Sequence, residues 1–309
     1  MSRLLVLGDR EVRDCLTMAE CVEAMADVLA GLARGELFQP LRPVYRPPGA
    51  GGFLGLMPAH RASAPPLYSL KEIVVTPDNP AERGLDAHQG GVLLHDGETG
   101  ELVALVNASP ITEIRTAAVS AVATRALARS DAGVVAVLGK GVQSRSHVEA
   151  MQHVLPGAEI RVWSRREEPT PERALDGADV VCTCTAAREP ILRREWLARG
   201  THVNAVGAFG AARELDAATV AASTLFVDRR ESAVNEGGDL MLAVEEGAVS
   251  QDHIAAELGD VLVGTHPGRS SDDELTVFKS FGLGVEDLAA AELVVRNARE
   301  RGLGIEVDF

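Results

Sequence analysis

Apolar positions follow two different rhythms along the 309 residues. Across Thr17–Leu32 they recur at helical spacing, with Cys21, Val22, Met25, Val28, Leu29 and Leu32 on one face, which predicts an amphipathic helix. Pro40, Pro43, Pro47 and Pro48 then break the chain into extended pieces. Strand-like segments follow at SLKEIVV around Lys71 and at GGVLLHDGETGELVALV. In the latter, two apolar runs flank DGETG and predict a hairpin with Gly97 and Gly100 available for positive φ. This part reads as antiparallel sheet. Ser109 followed by Pro110 predicts a helix start, Ser109 as the cap and Pro110 in the first turn, with ITEIRTAAVSAVATRALA as the body.

From Gly133 the rhythm changes. Apolar runs without alternation occur at GVVAVLG, EIRVW, ADVVCTCT, THVNAVG, STLFVD and LTVFKS, mostly separated by helical stretches. Strands buried on both faces of a parallel sheet need that pattern. The expected fold class is α/β: a Rossmann-type doubly wound parallel sheet plus an α+β part.

The run GVVAVLG leads directly into Gly139-Lys140-Gly141-Val142-Gln143-Ser144 and then a helical stretch. Strand, glycine turn and helix in that order are what a dinucleotide pyrophosphate requires. Gly139 permits the tight turn, Gly141 removes a Cβ from the helix N-terminus, and Val142 and Gln143 open the helix. Ser144 replaces the third glycine. The second strand, EIRVW, ends in Ser164-Arg165-Arg166 with no carboxylate at its tip, so guanidinium groups are placed to hold a 2'-phosphate and NADPH is favoured over NAD. Only Arg165 to Ala178 separate this tip from Asp179, and Pro169 and Pro171 interrupt them. A helix, a strand and a second helix do not fit there, so the third strand is expected to be missing, with at most a helical turn at Ala174–Gly177.

Composition narrows the partners. The formal charge of −15 repels phosphate backbones and anionic headgroups, so neither nucleic acid nor a membrane surface is an expected partner. The opening MSRLLVLGDREVRD lacks an apolar signal core, and no apolar run reaches membrane-spanning length, so the expected location is cytoplasmic. Cys15, Cys21, Cys182 and Cys184 form no C-x-x-C pair and read as reduced thiols, with no metal site expected.

A further pattern joins both parts. PLRPV (Arg42), GLMPA (Met57), SLKEIVV (Lys71), DAHQGGVLL (His88), ITEIRTAA (Arg115), GKGVQS, REPILRREWL, THVNAVG, RELD, QDHIAAELGDVLVG and LTVFKSFGLGVEDLAAA occur in an order that resembles the ornithine cyclodeaminase and mu-crystallin family. The resemblance implies a homodimer, with a substrate-binding and dimerisation domain at 1–128 and 282–309 and a Rossmann domain at 129–281. It also implies a substrate carboxylate held by Arg42, Lys71 and Arg115, with Met57 nearby, and Thr185 and Gly207 joining the cofactor set. Arg115, placed in the first turn after Ser109-Pro110, opposes the helix dipole there and makes best sense beside an anion. Lys71 is the first candidate to move a proton, if burial and cationic neighbours lower its pKa. His88 and Asp228 read as structural, and Lys279 as divided between cofactor and packing.

Two departures shape the expected reaction. Cyclodeaminases resembling this chain carry a Glu where Gly55 stands, and an Asp in the segment that here reads Gly207 to Arg213 without a carboxylate. The leading expectation is therefore NADPH-dependent reduction of the C=N bond of small imino acids such as Δ1-pyrroline-2-carboxylate or Δ1-piperideine-2-carboxylate. The alternatives are ornithine cyclodeamination with bound NAD, and a non-catalytic ligand-binding protein.

Overall fold

A computed structural model describes residues 3–63, 65–207 and 212–309. Its strands are β1 (Arg3–Leu7), β2 (Leu37–Phe38), β3 (Val44–Tyr45), β4 (Phe53–Arg61), β5 (Leu67–Val75), β6 (His88–Asp96) and β7 (Leu102–Asn107), followed by β8 (Val134–Leu138) and β9 (Glu159–Trp163). Then come β10 (Val180–Thr183), β11 (His202–Ala205), β12 (Thr224–Val227), β13 (Ile254–Glu257), β14 (Thr276–Lys279) and β15 (Ile305–Asp308). The chain divides into two compact units, Met1–Arg115 with Leu283–Phe309, and Thr116–Gly282. The division falls inside the helix Ala108–Leu127.

In the first unit the sheet order is β15-β1-β7-β6-β5-β4-β2, with β3 on β4. β4 to β7 pair antiparallel, and β1 joins β7 in parallel. Alternation along β5 buries Leu67, Ser69, Lys71, Ile73 and Val75 and leaves Tyr68, Glu72 and Val74 exposed, the period-two pattern of a sheet with one covered face. The helix Gly284–Arg301 packs on β4, β5 and β6 and on the helix Met18–Ala33, whose N-terminus is capped by Thr17. The hairpin is present, but its glycines have different reasons. Gly100 takes φ +77°, whereas Gly97 is needed because a Cβ there would lie 2.6 Å from the Pro66 backbone.

The expected helix start is corrected. The helix begins at Ala108, and Asn107 accepts the Ser109 N–H at 2.9 Å, while the Ser109 hydroxyl donates to the His88 carbonyl at 2.6 Å. Asn107 is therefore the cap. Arg115 stands two turns inside the helix, so the dipole argument for it does not apply.

In the second unit all strands run parallel in the order β13-β12-β14-β11-β10-β8-β9. β9 is an edge because the third strand of a dinucleotide fold is missing. Between Ser164 and Asp179 the only regular element is the helix Glu172–Leu175. The anticipated strands are all present, and β13 is an addition: IAAE is too short and alanine-rich to stand out from its helical surroundings. Among the described residues no helix is long and apolar enough to cross a membrane.

Candidate active site

Register and burial gather the expected anion-binding residues within the first unit. Met57 on β4 lies directly opposite Lys71 on β5, and both side chains point to the covered face. The Arg42 guanidinium approaches the Met57 sulfur at 3.9 Å. From the facing helix Gly284–Arg301, Asp287 accepts a hydrogen bond from Lys71 Nζ at 3.0 Å and one from Arg115 Nε at 3.1 Å, and Glu286 accepts from Arg115 Nη1 at 2.9 Å. Lys71 is 1% exposed and Glu286 and Asp287 are fully buried. Fixed charges at such depth interact in a low-dielectric setting and orient one another strongly.

The electrostatic result falls on Lys71. Burial pushes its ammonium down, Asp287 pushes it back up, and the cations of Arg115 and Arg42 push it down again, leaving it at about 8. A lysine poised there holds and releases a proton near neutral pH, as an ordinary lysine does not. His88, at the start of β6, is depressed to about 4 by partial desolvation and by Lys71 and Arg115, although the residue keeps accessible surface. Its neutral form therefore dominates near neutral pH.

The strand tips of the second unit carry the other half of the expected residues. Gly139 ends β8 at φ +132°, and a Cβ there would sit 2.5 Å from the Cys184 carbonyl, so no larger residue fits. Gly141 caps the helix Val142–Val154 in an extended conformation. A Cβ on Gly141 would meet no protein atom within 4 Å, so internal packing does not explain that glycine. Ser144, buried, donates to the Gly139 carbonyl at 2.8 Å, which explains why serine serves where the pattern has a third glycine. Val142 and Gln143 form the first turn, whose N–H groups point outward from the helix end.

At the tip of β9, the Ser164 hydroxyl accepts the Arg166 N–H, and the Ser164 carbonyl accepts from Glu167 and Glu168 in a tight turn. Arg165 and Arg166 are exposed and have no ion-pair partner among the described residues, while Lys140 pairs with Glu167. Thr185 and Gly207 follow β10 and β11 at the same carboxyl edge. Lys279, at the end of β14, is buried and paired with Asp239 at 2.9 Å, and the Asp228 carboxylate accepts the Phe281 and Gly282 N–H groups at 2.5 and 2.8 Å.

Residues 208–211, including Phe209 of the segment that lacks an acid, lie outside the described residues. Sequence reasoning missed Glu286 and Asp287. The signal was available in GVEDLAA, two adjacent acids at the start of a helix too apolar to be solvated, but it needed the facing strand to be seen. The four cysteines are free thiols.

The profile described as the ornithine cyclodeaminase/mu-crystallin family matches residues 4–174 and 169–302. The chain is 37% identical to ketimine reductase mu-crystallin of Mus musculus over 93% of this chain and 95% of that one. It superposes on Thermococcus litoralis Δ1-pyrroline-2-carboxylate reductase, solved with NADH and L-proline, with a TM-score of 0.91, 32% identity, and 98% and 100% of the two chains covered. An archaeal alanine dehydrogenase dimer with bound NAD gives 0.89 and 29% identity, with 99% of each chain covered. On its sequence, its fold and its relatives, the chain belongs to the ornithine cyclodeaminase/mu-crystallin family.

Proposed function

We propose that this protein reduces the C=N bond of small imino acids of the Δ1-pyrroline-2-carboxylate or Δ1-piperideine-2-carboxylate type to amino acids, with NADPH, as a cytoplasmic homodimer. The single observation that carries the reading is the grouping of buried Lys71 and Arg115 with half-buried Arg42, in which a lysine with its pKa lowered to about 8 stands beside two guanidinium groups. Relatives that are named as imine reductases, and the NADH and L-proline of the Thermococcus litoralis complex, support it.

The residues at the parallel sheet's carboxyl edge fit a dinucleotide. Gly141 is small without any packing demand, and it opens a helix of 13 residues whose end favours an anion. Gly139, Gly141, Val142 and Gln143 would hold the pyrophosphate, Ser164, Arg165 and Arg166 the 2'-phosphate ribose, and Thr185 and Gly207 the nicotinamide end. When bound, the reduced nicotinamide supplies a hydride. Turning C=N into CH–NH adds that hydride at carbon and one proton at nitrogen, and the chain's own task is to orient the acceptor and provide the proton. Arg42, Lys71 and Arg115 would fix the substrate carboxylate, Met57 would shape the apolar side, and Lys71 Nζ would also hold the proton. Asp287 and Glu286 keep Arg115 and Lys71 aimed.

Reduction is favoured over cyclodeamination because Gly55, buried on β4 opposite Ile73, brings no carboxylate for a second amine. The experiment is NADPH oxidation with Δ1-pyrroline-2-carboxylate, in which proline should form as reductant is consumed.

The homodimer reading has its own support. Across the outer face of the first unit's sheet, Pro58, Leu70, Leu93, Leu105 and Val6 form one cross-strand row, each only half-buried, beside exposed Tyr68 and Val74. Such a continuous apolar face marks an association surface, and the similar archaeal dehydrogenase is a dimer. Sedimentation should give twice the 32.6 kDa chain mass, and a monomer at micromolar concentration would contradict it.

A further inference from the structure

Within the second unit, one buried carboxylate gathers more donors than any expected site residue. Glu214 is fully buried. Its Oε1 accepts the Thr185 N–H at 2.8 Å and the Thr185 hydroxyl at 2.6 Å, and its Oε2 accepts the Gly207 N–H at 2.8 Å and the Thr183 hydroxyl at 2.7 Å. Thr183 and Thr185 stand at the end of β10 and Gly207 just past β11, so one side chain ties together two neighbouring strand tips. The acid is itself fixed from behind. Asp239 accepts the N–H groups of Glu214 and Leu215 at 2.8 and 2.9 Å, and the Glu214 carbonyl accepts from Ile191 and Leu192. Asp239 pairs with Lys279, whose Nζ also donates to the Gly207 carbonyl, so the Gly207 residue is held at both its N–H and its C=O. A Cβ on Gly207 would lie 2.2 Å from the Thr185 carbonyl, which shows how closely the two tips approach.

We infer that Glu214 is a positioning residue for the dinucleotide: it holds the Thr185 and Gly207 turns at one separation and so fixes the floor on which the nicotinamide end rests. The inference rests on reading this carboxyl edge as the cofactor site. Burial raises the Glu214 carboxyl, while Lys279 and the threonine hydroxyls oppose that rise. Two of its four donors are backbone N–H groups, which can only donate, so the carboxylate is the form the site is built for. A carboxamide keeps one acceptor oxygen and turns an NH2 toward the other pair. The threonine hydroxyls can rotate to accept it, but one backbone N–H is left facing a donor. The affected tip must then shift, and a hydride donor displaced by a fraction of an ångström loses rate as well as affinity.

The test uses full-length protein and NADPH, with dissociation constants read by fluorescence energy transfer and steady-state kinetics on Δ1-pyrroline-2-carboxylate. Glu214→Gln, with native far-ultraviolet dichroism, should bind NADPH at least tenfold more weakly and lose at least tenfold in kcat, while KM for the imino acid stays within twofold. Thr183→Val, isosteric and lacking only one donor, should weaken NADPH about threefold. A folded Glu214→Gln protein that melts earlier yet keeps its NADPH dissociation constant and kcat within twofold would show a purely structural role and overturn the inference. If Glu214→Gln does not fold, Thr183→Val decides, and an unchanged dissociation constant there overturns it. Wild-type protein that binds neither NADPH nor NADH would instead overturn the cofactor reading, and this inference with it.

Discussion

Lys71→Met is expected to lower kcat/KM for a cyclic imino acid by about three orders of magnitude and to erase the alkaline limb of the pH profile. Methionine preserves the buried stem and deletes the ammonium. One loss is a charge-assisted contact to the substrate carboxylate, on the order of 1.5–3 kcal/mol. The other is the proton donor, roughly 10²–10⁴ in rate. The two overlap because one group serves both, so their product is an upper bound. The pH dependence follows from the direction of the shift. Burial lowers Lys71 to about 8, so the ammonium is the main form below that pH and falls roughly tenfold for each unit above it. Wild-type activity should therefore decline above about pH 8, and the variant's residual activity should not. The variant should be less stable, since Glu286 and Asp287 are left with Arg115 as their bonded cation, and native far-ultraviolet dichroism must accompany the kinetics. A variant within tenfold of wild type, with the same alkaline limb, would remove Lys71 from the chemistry.

The double variant Arg165→Ala, Arg166→Ala carries the second large effect. Each guanidinium can make charge-assisted contacts to a 2'-phosphate, on the order of 1.5–3 kcal/mol apiece, and exposure to solvent pulls each toward the lower end. NADPH affinity should fall about 100-fold while NADH affinity changes less than about threefold, because NADH has a hydroxyl at that position. Titration of both cofactors against both proteins decides it. Equal losses would make the two arginines ordinary surface residues.

Much of this was legible in the residues because period and spacing are local. The runs from Val134 to Leu138 and from Val180 to Thr183 read as buried strands since they lack alternation, and the short stretch after Ser164 left no room for a third strand. What failed was long-range. With Ser109 as the cap Arg115 reads as a first-turn residue, and only the Asn107 contact moves the helix start and places Arg115 two turns in. Glu286 and Asp287 meet Lys71 and Arg115 across 171 to 216 residues of chain, a distance no periodicity encodes. Glu214 sat in view within RELD, but its significance lies in four donors that three separate strand-tip residues bring to it.

The measurement that tests the central claim most directly follows NADPH, proline and ammonia together. With Δ1-pyrroline-2-carboxylate the account predicts one NADPH oxidised for each proline formed, and with L-ornithine plus catalytic NAD it predicts negligible ammonia. Gly55 supplies no carboxylate to handle a second amine, whereas reduction needs only the donor, the Arg42, Lys71 and Arg115 group, and a proton. Proline and ammonia appearing in equal amounts from ornithine, with no net consumption of reductant, would contradict it.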